Sequence, residues 1–147
     1  MNNEDSDMAV DKLVHENECG LPLNAIEWLE THHASKALER EQMIRDLELT
    51  PGSFVVDAGC GPGLWTPLLA KVVGPHGRIL GVDISTEALV TAHYRSKGQW
   101  YQHQVQYKRG ALEHLPIQPG TASTIFSANV SQYLPDPVST FAAMGCY

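Results

Sequence analysis

What most constrains this chain is the spacing of one acid and three glycines within FVVDAGCGPGLWTPLLAKVV, the stretch from Phe54 to Val73. The apolar run FVVD lacks alternation, the pattern of a short strand buried on both faces. Glycine allows left-handed backbone and close approach by another group. Asp57-x-Gly59-x-Gly61-x-Gly63 therefore predicts a tight turn at the carboxyl end of a strand, with something coming close to its backbone. From Leu64 to Val73 the pattern turns helical, GPHG stops it, and RILGVD supplies a second apolar strand ending in Asp83, twenty residues after Gly63. Strand, helix, strand is a βαβ unit, and parallel strands follow from it.

The flanking segments extend that unit. Ahead of it, NAIEWLETHHASKALEREQMIRDLEL places Ile26, Leu29, His33, Ala37, Ile44 and Leu47 at mostly helical spacing with no internal proline or glycine, which predicts one long helix. TPGS then punctuates the chain before the first strand. Past Asp83, Ser85 is placed to cap a helix over TEALVTAHYRSKG. VQYKRG reads as a third strand, LPIQPGT as a loop and ASTIFSANV as a fourth strand. The fold class is α/β, a Rossmann-like doubly wound parallel sheet. Residues 1–22 are expected to be a flexible acidic segment, and residues 23–147 one domain with its leading helix.

Composition narrows the partners. With 43% hydrophobic and 18% charged residues, the chain can bury a core and is neither disordered nor membrane-like. Its start, MNNEDSDMAVDKL, is acidic and polar where a signal peptide is basic and then apolar, and no run approaches a membrane span. A net charge of −7, with lysines and arginines scattered along the sequence, speaks against a nucleic-acid partner. Cys19, Cys60 and Cys146 share no CxxC spacing and make an odd count, which suits a reducing compartment, so the cytoplasm is expected. His76, His93, His103 and His114 have no ligand-like spacing with cysteines or carboxylates, so no metal is expected.

A strand-to-helix turn of this kind is where open α/β sheets bind ligands. The dinucleotide fingerprint G-x-G-x-x-G does not fit, because the sixth position is Leu64 counting from Gly59 and Thr66 counting from Gly61. Two plainer roles stay open. The glycines can serve the turn alone, and Asp83 can cap the helix after it.

Through VVDAGCGPG, GVDIS, RGALEHLP and SANVSQYLPD, the chain resembles the class I S-adenosylmethionine-dependent methyltransferases, most closely the small-molecule enzymes related to quinone biosynthesis. The resemblance runs from about Pro51 to Met144. It implies S-adenosylmethionine as cofactor and a small-molecule methyl acceptor. Gly59, Gly61 and Gly63 would lie under the methionine and ribose parts, Asp57 would face the methionine amino group, and Asp83 would accept from the ribose hydroxyls. Ile84, Ala111, Leu112 and Asn129 complete the implied cofactor contacts. At Ala111, family members commonly carry an aspartate that accepts from the adenine amino group, so weaker binding or another acceptor is expected here.

The acceptor side is less legible, since enzymes of this kind share no one catalytic base and act mainly by alignment and desolvation. No residue is assigned catalysis. Asn129, Gln132 and Tyr133 are candidate cleft contacts, and His32 or His33, on a helix that often covers the cofactor in the family, is a candidate base, with His33 also placed to be a core residue. Trp65 can shield the cofactor or simply pack, and Cys60 is assigned no chemistry. Family members continue past FAAM into a longer sheet in which the fourth strand is central. The chain is accordingly expected to be truncated after that strand and its following helix, with self-association through the exposed strand.

Overall fold

The computed structural model describes residues 25–147. The segment 1–22, expected to be flexible, and Cys19 lie outside the described residues. The chain divides into two units, Met1–Ala37 and Leu38–Tyr147, taken separately below.

In the first unit α1 spans Ile26–Ser35. The single long helix expected from the sequence is broken here. The Ser35 hydroxyl donates to the His32 carbonyl at 2.9 Å, the group that the Lys36 N–H would bond in a continuing helix. That N–H turns instead to the His33 carbonyl at 3.2 Å. The helix α2, Ala37–Asp46, buries Arg40 and Ile44, while Ala37 is exposed and Leu47 is 41% exposed, so neither of those two expected apolar positions is in a core.

The second unit is a four-stranded parallel sheet in the order β3-β2-β1-β4, with β1 at Phe54–Ala58, β2 at Arg78–Asp83, β3 at Val105–Arg109 and β4 at Thr124–Phe126. A turn in which Gly52 takes φ +86° delivers the chain into β1. The crossover α3 runs Thr66–Val73 and ends at Gly74, φ +69°, and α4 runs Thr86–Ser96. As expected, Ser85 caps α4, its hydroxyl accepting from the Ala88 N–H at 3.2 Å. The fourth strand is shorter than ASTIFSANV suggested. After Phe126 the chain leaves the sheet, takes a left-handed residue at Asn129, forms a 3-10 turn at Ser131–Tyr133 and enters α5, Pro137–Met144. Two features make that stretch incompatible with a ladder, the positive φ of Asn129 and the Asp136 cap whose carboxylate accepts from the Ser139 N–H.

Side chains alternate across the sheet, as strand geometry requires. Val55 and Ile79 enter one core with Ile44, Trp65, Leu69 and Phe126, and Val56, Ala58, Leu80 and Val82 enter a second core with Leu112, Leu115 and Met144. Both faces of β1 and β2 are therefore buried, which is why those strands read as unbroken apolar runs. Full burial of each of the valine, isoleucine and leucine side chains contributes about 1.5–3 kcal/mol. Within this pairing Asp57 sits opposite Gly81 on β2 and Phe126 on β4, at the carboxyl end of the sheet. No helix among the described residues is long and apolar enough to cross a membrane.

Candidate functional site

The loop after β1 stays paired with β2 for two residues, since Gly59 and Cys60 both donate to the Val82 carbonyl, at 2.7 and 3.0 Å. Asp83 then takes over. Its Oδ2 accepts from the Gly61 N–H at 2.8 Å and its Oδ1 accepts from the Ser85 N–H at 2.9 Å. One carboxylate thus joins the glycine loop to the start of the segment leading into α4. Each carboxylate oxygen has a second lone-pair direction, so acceptor capacity remains for a ligand.

All three glycines have left-handed φ, +78° at Gly59, +51° at Gly61 and +75° at Gly63. Their reasons differ. A Cβ on Gly59 would lie 2.4 Å from a Val130 methyl, and one on Gly63 would lie 2.8 Å from the Tyr107 hydroxyl. Gly61 has nothing within 4 Å of that position. Two glycines are therefore required by the protein's own packing, and only Gly61 faces open space.

Asp57 is 1% exposed, and its Oδ2 is buried with no hydrogen-bond partner. Burial, reinforced by the Asp83 charge, pushes its carboxyl up to about 7. Burial also raises Asp83, against the opposing pull of the Ser85, Gly61 and Ile84 amides. Two carboxylates with partly unmet acceptors beside an open stretch of backbone suit a ligand that brings a positive charge and hydroxyl or amine donors. Cys60, in the same loop, is 3% exposed, its thiol raised by burial and by both acids, which makes it a poor nucleophile.

The other expected site residues are less tightly grouped. Ile84, 39% exposed, adds open apolar surface next to Asp83. Ala111 is half-buried just before the 3-10 turn Leu112–His114, and the Leu112 side chain is in the core. Glu113, the nearest acid in sequence to Ala111, accepts from the Thr140 hydroxyl at 2.5 Å. Asn129 is exposed, and its left-handed backbone precedes the Val130 that covers Gly59. Gln132 is exposed and Tyr133 half-buried. Trp65 packs, 6% exposed, edge-on to Phe126 at 5.1 Å and beneath the Arg40 guanidinium at 4.7 Å. His32 and His33 belong to the first unit, where His32 stacks on Trp28 at 5.6 Å. His33 is half-buried rather than in a core, because α1 buries none of its residues.

The basic residues are less scattered than the sequence suggested. Arg95, Lys97, Lys108 and Arg109, four of the ten lysines and arginines, fall at the end of α4 and on β3. Lys97 and Lys108 line a groove of about 510 Å³ with His93 and His103. Lysine on an edge strand is a common guard against unwanted pairing, which accounts for Lys108 without a ligand. Sequence reasoning missed Val130, Tyr107 and Arg95, whose importance comes from contacts across distant segments that no local pattern encodes.

Residues 55–145 match the family model described as a methyltransferase domain. Among relatives, the chain is 38% identical over 77 residues to the demethylmenaquinone methyltransferase of Lactobacillus johnsonii, covering 52% of this chain and 32% of that protein. It is 36% identical over 118 residues to the ubiquinone biosynthesis O-methyltransferase of Methylococcus capsulatus, covering 78% of this chain and 46% of that one. A solved S-adenosylmethionine-dependent methyltransferase from Aquifex aeolicus has the same fold, with a TM-score of 0.65 and 23% identity over 73% of this chain and 56% of that chain. The chain thus spans less than half the length of these two relatives.

Gly59→Ala and Gly61→Ala are expected to separate packing from openness. Left-handed strain costs each about 1–2 kcal/mol, and the Val130 clash adds roughly 1–3 kcal/mol at Gly59 alone. Urea unfolding checks this, and equal losses would contradict it. Asp57 also sets a pH dependence. The folded state holds its proton more tightly than the unfolded chain does, so its contribution is fully present below about pH 4 and is lost as pH rises to about 7, by roughly 2–4 kcal/mol. Unfolding midpoints of wild type should therefore fall more between pH 5 and 8 than those of Asp57→Asn, and parallel changes would remove Asp57 as the cause.

Proposed function

Because the chain belongs to the methyltransferase-domain family, we propose that it binds S-adenosylmethionine at the Asp57–Gly63 loop and Asp83, for methyl transfer to a small organic acceptor. The observation that carries this reading is the buried, partnerless Asp57 Oδ2 beside a second carboxylate and the open face of Gly61. When bound, the cofactor supplies an electrophilic methyl group on a sulfonium. The residues present suit it. Asp57 would hold the amino group, and Asp83 would accept from the ribose hydroxyls while keeping its two backbone bonds. Gly61 lets the ligand approach the backbone, with Gly59 and Gly63 shaping the turn on either side. Ile84 would offer apolar surface to the adenosine, and Ala111 and Leu112 would meet its base. Ala111 has no carboxylate, and Glu113 is already bonded to Thr140, so the adenine amino group would be held less firmly than by an aspartate.

On the acceptor side Asn129, Gln132 and Tyr133 remain cleft candidates, and no residue is assigned as base. A small acceptor is favoured over nucleic acid by the net charge of −7. Quinone precursors are the acceptor class nearest to the two named relatives. Free Cys60 and Cys146 are compatible with a reducing cytoplasm.

Calorimetry with S-adenosylhomocysteine and with NAD tests the cofactor assignment. Binding of the first and not the second is expected, and the reverse would sink it. Asp83→Asn should weaken S-adenosylhomocysteine by about 1.5–3 kcal/mol, the scale of a hydrogen bond to a charged group. Labelled methyl transfer into bulk RNA would contradict the acceptor class, and binding with no transfer to any small acceptor would favour the alternative, a cofactor-binding module without turnover.

Self-association through β4 is the remaining part of the proposal. β4 lies at one edge of the sheet, with a groove of about 520 Å³ lined by Ser123, Ile125, Phe141 and Met144, and Phe141 and Val138 are 40% and 80% exposed. Unpaired backbone beside apolar surface favours strand addition by a second copy. Light scattering of the purified 147-residue chain should show dimers or larger species that dissociate on dilution, whereas a monomer at all concentrations would refute it.

A further inference from the structure

The glycine loop is held from its protein side by residues that lie far from it in sequence. The Arg95 Nε–H donates to the Pro62 carbonyl at 3.1 Å, tying the last turn of α4 to the residue between Gly61 and Gly63. Beneath Gly63 stands the Tyr107 hydroxyl, 3.0 Å from Thr66 Oγ1 and 2.8 Å from Ser96 Oγ. Directions follow from the proton count. Ser96 gives its one hydroxyl proton to the Ala92 carbonyl at 3.0 Å, so the Tyr107 hydroxyl donates to Ser96 and accepts from Thr66. Thr66 is 0% and Ser96 5% exposed and Tyr107 between them is half-buried, so both ends of this directed chain are shielded from water and each member depends on the next. Burial raises the Tyr107 phenol and keeps it a donor.

The fit around Tyr107 is tight on two sides. A Cβ on Gly63 would come within 2.8 Å of its hydroxyl and 3.0 Å of the Ala92 Cβ. A Cβ on Gly81 would come within 2.5 Å of its ring and 2.9 Å of Cys60 Sγ. Two glycines, one in the loop and one in β2, therefore make room for one tyrosine.

We propose that Tyr107, fixed by Thr66 and Ser96 and assisted by Arg95, is a positioning residue that sets the backbone of the cofactor loop at its Gly63 end. This rests on the cofactor reading above, and extends it to residues on β3 and α4. Asp83 holds the Gly61 side of the loop, so the loop is fixed at both ends, one from β2 and the other from β3 and α4. In this proposal the methionine part lies over the Gly63 end, so losing the tyrosine hydroxyl would loosen its contact while the ribose contact at Asp83 stays.

The test compares the full chain with Tyr107→Phe, which keeps the ring that fills the space at Gly81, with Ser96→Ala, and with Thr66→Ser as a variant that retains the hydroxyl. Native-state amide exchange by NMR is read at Gly61, Gly63 and the β1 residue Val56, and dissociation constants are read for S-adenosylhomocysteine and for adenosine, which lacks the amino-acid part. In Tyr107→Phe and Ser96→Ala, exchange at Gly63 should quicken by roughly three- to tenfold relative to Val56, the equivalent of one neutral hydrogen bond. S-adenosylhomocysteine should weaken by a similar factor while adenosine stays within about twofold, and Thr66→Ser should behave as wild type. Exchange at Gly63 and Val56 changing in parallel, or both ligands weakening equally, would overturn the positioning role. Wild type binding neither ligand would overturn the cofactor reading instead, and the exchange comparison would still decide whether Tyr107 sets the loop.

Discussion

The Asp83 carboxylate is the interaction on which the rest of the carboxyl-end architecture depends. Two strands end side by side in any parallel pair, but nothing in strand pairing alone fixes the loops that leave them. Here one side chain at the end of β2 accepts from Gly61 on the neighbouring loop and from Ser85 at the entry to α4. Because the bonds are to a charged acceptor, each contributes about 1.5–3 kcal/mol rather than the ~1 kcal/mol of a neutral pair. Their cost is the burial of charge next to Asp57, visible in the upward displacement of both carboxyls. Such a pair is destabilising when left alone and is relieved by a cationic ligand, so the same electrostatics that strain the ligand-free protein favour the proposed cofactor.

The glycines show how a binding loop and a packing constraint share one stretch of chain. Gly59 yields to Val130 and Gly63 to Tyr107, and without those contacts a left-handed asparagine would serve at either place. Gly61 alone combines a positive φ, an N–H committed to Asp83 and an empty space above it. Gly59 and Gly63 thus carry a packing constraint of their own beside the ligand contact proposed for all three, letting Val130 and Tyr107 approach closely enough to hold the turn.

Local patterns were legible in the sequence and long-range ones were not. The βαβ unit, the Ser85 cap and the strand ends at Asp57 and Asp83 follow from periodicity and turn chemistry, and the structure has them as expected. The break after Ser35 escaped because a serine hydroxyl competing for one carbonyl leaves no mark in apolar spacing. The short β4 escaped because SANV continues the apolar trend while Asn129 takes a left-handed backbone. Lys97 and Lys108 meet at one groove only because α4 and β3 pack together, which linear spacing does not show. Val130, Tyr107 and Arg95 act across separations that only the folded sheet supplies.

At the proposed site the partnerless Asp57 carboxyl would be completed by the amino group of an S-adenosyl ligand. A carboxyl-carbon NMR titration of Asp57, with and without saturating S-adenosylhomocysteine, measures it directly. A midpoint near 7 is expected in the free protein, moved down by more than about one unit in the complex because the ligand's charge favours the ionised form. A complex in which the ligand is bound and the Asp57 midpoint is unchanged or higher would contradict it.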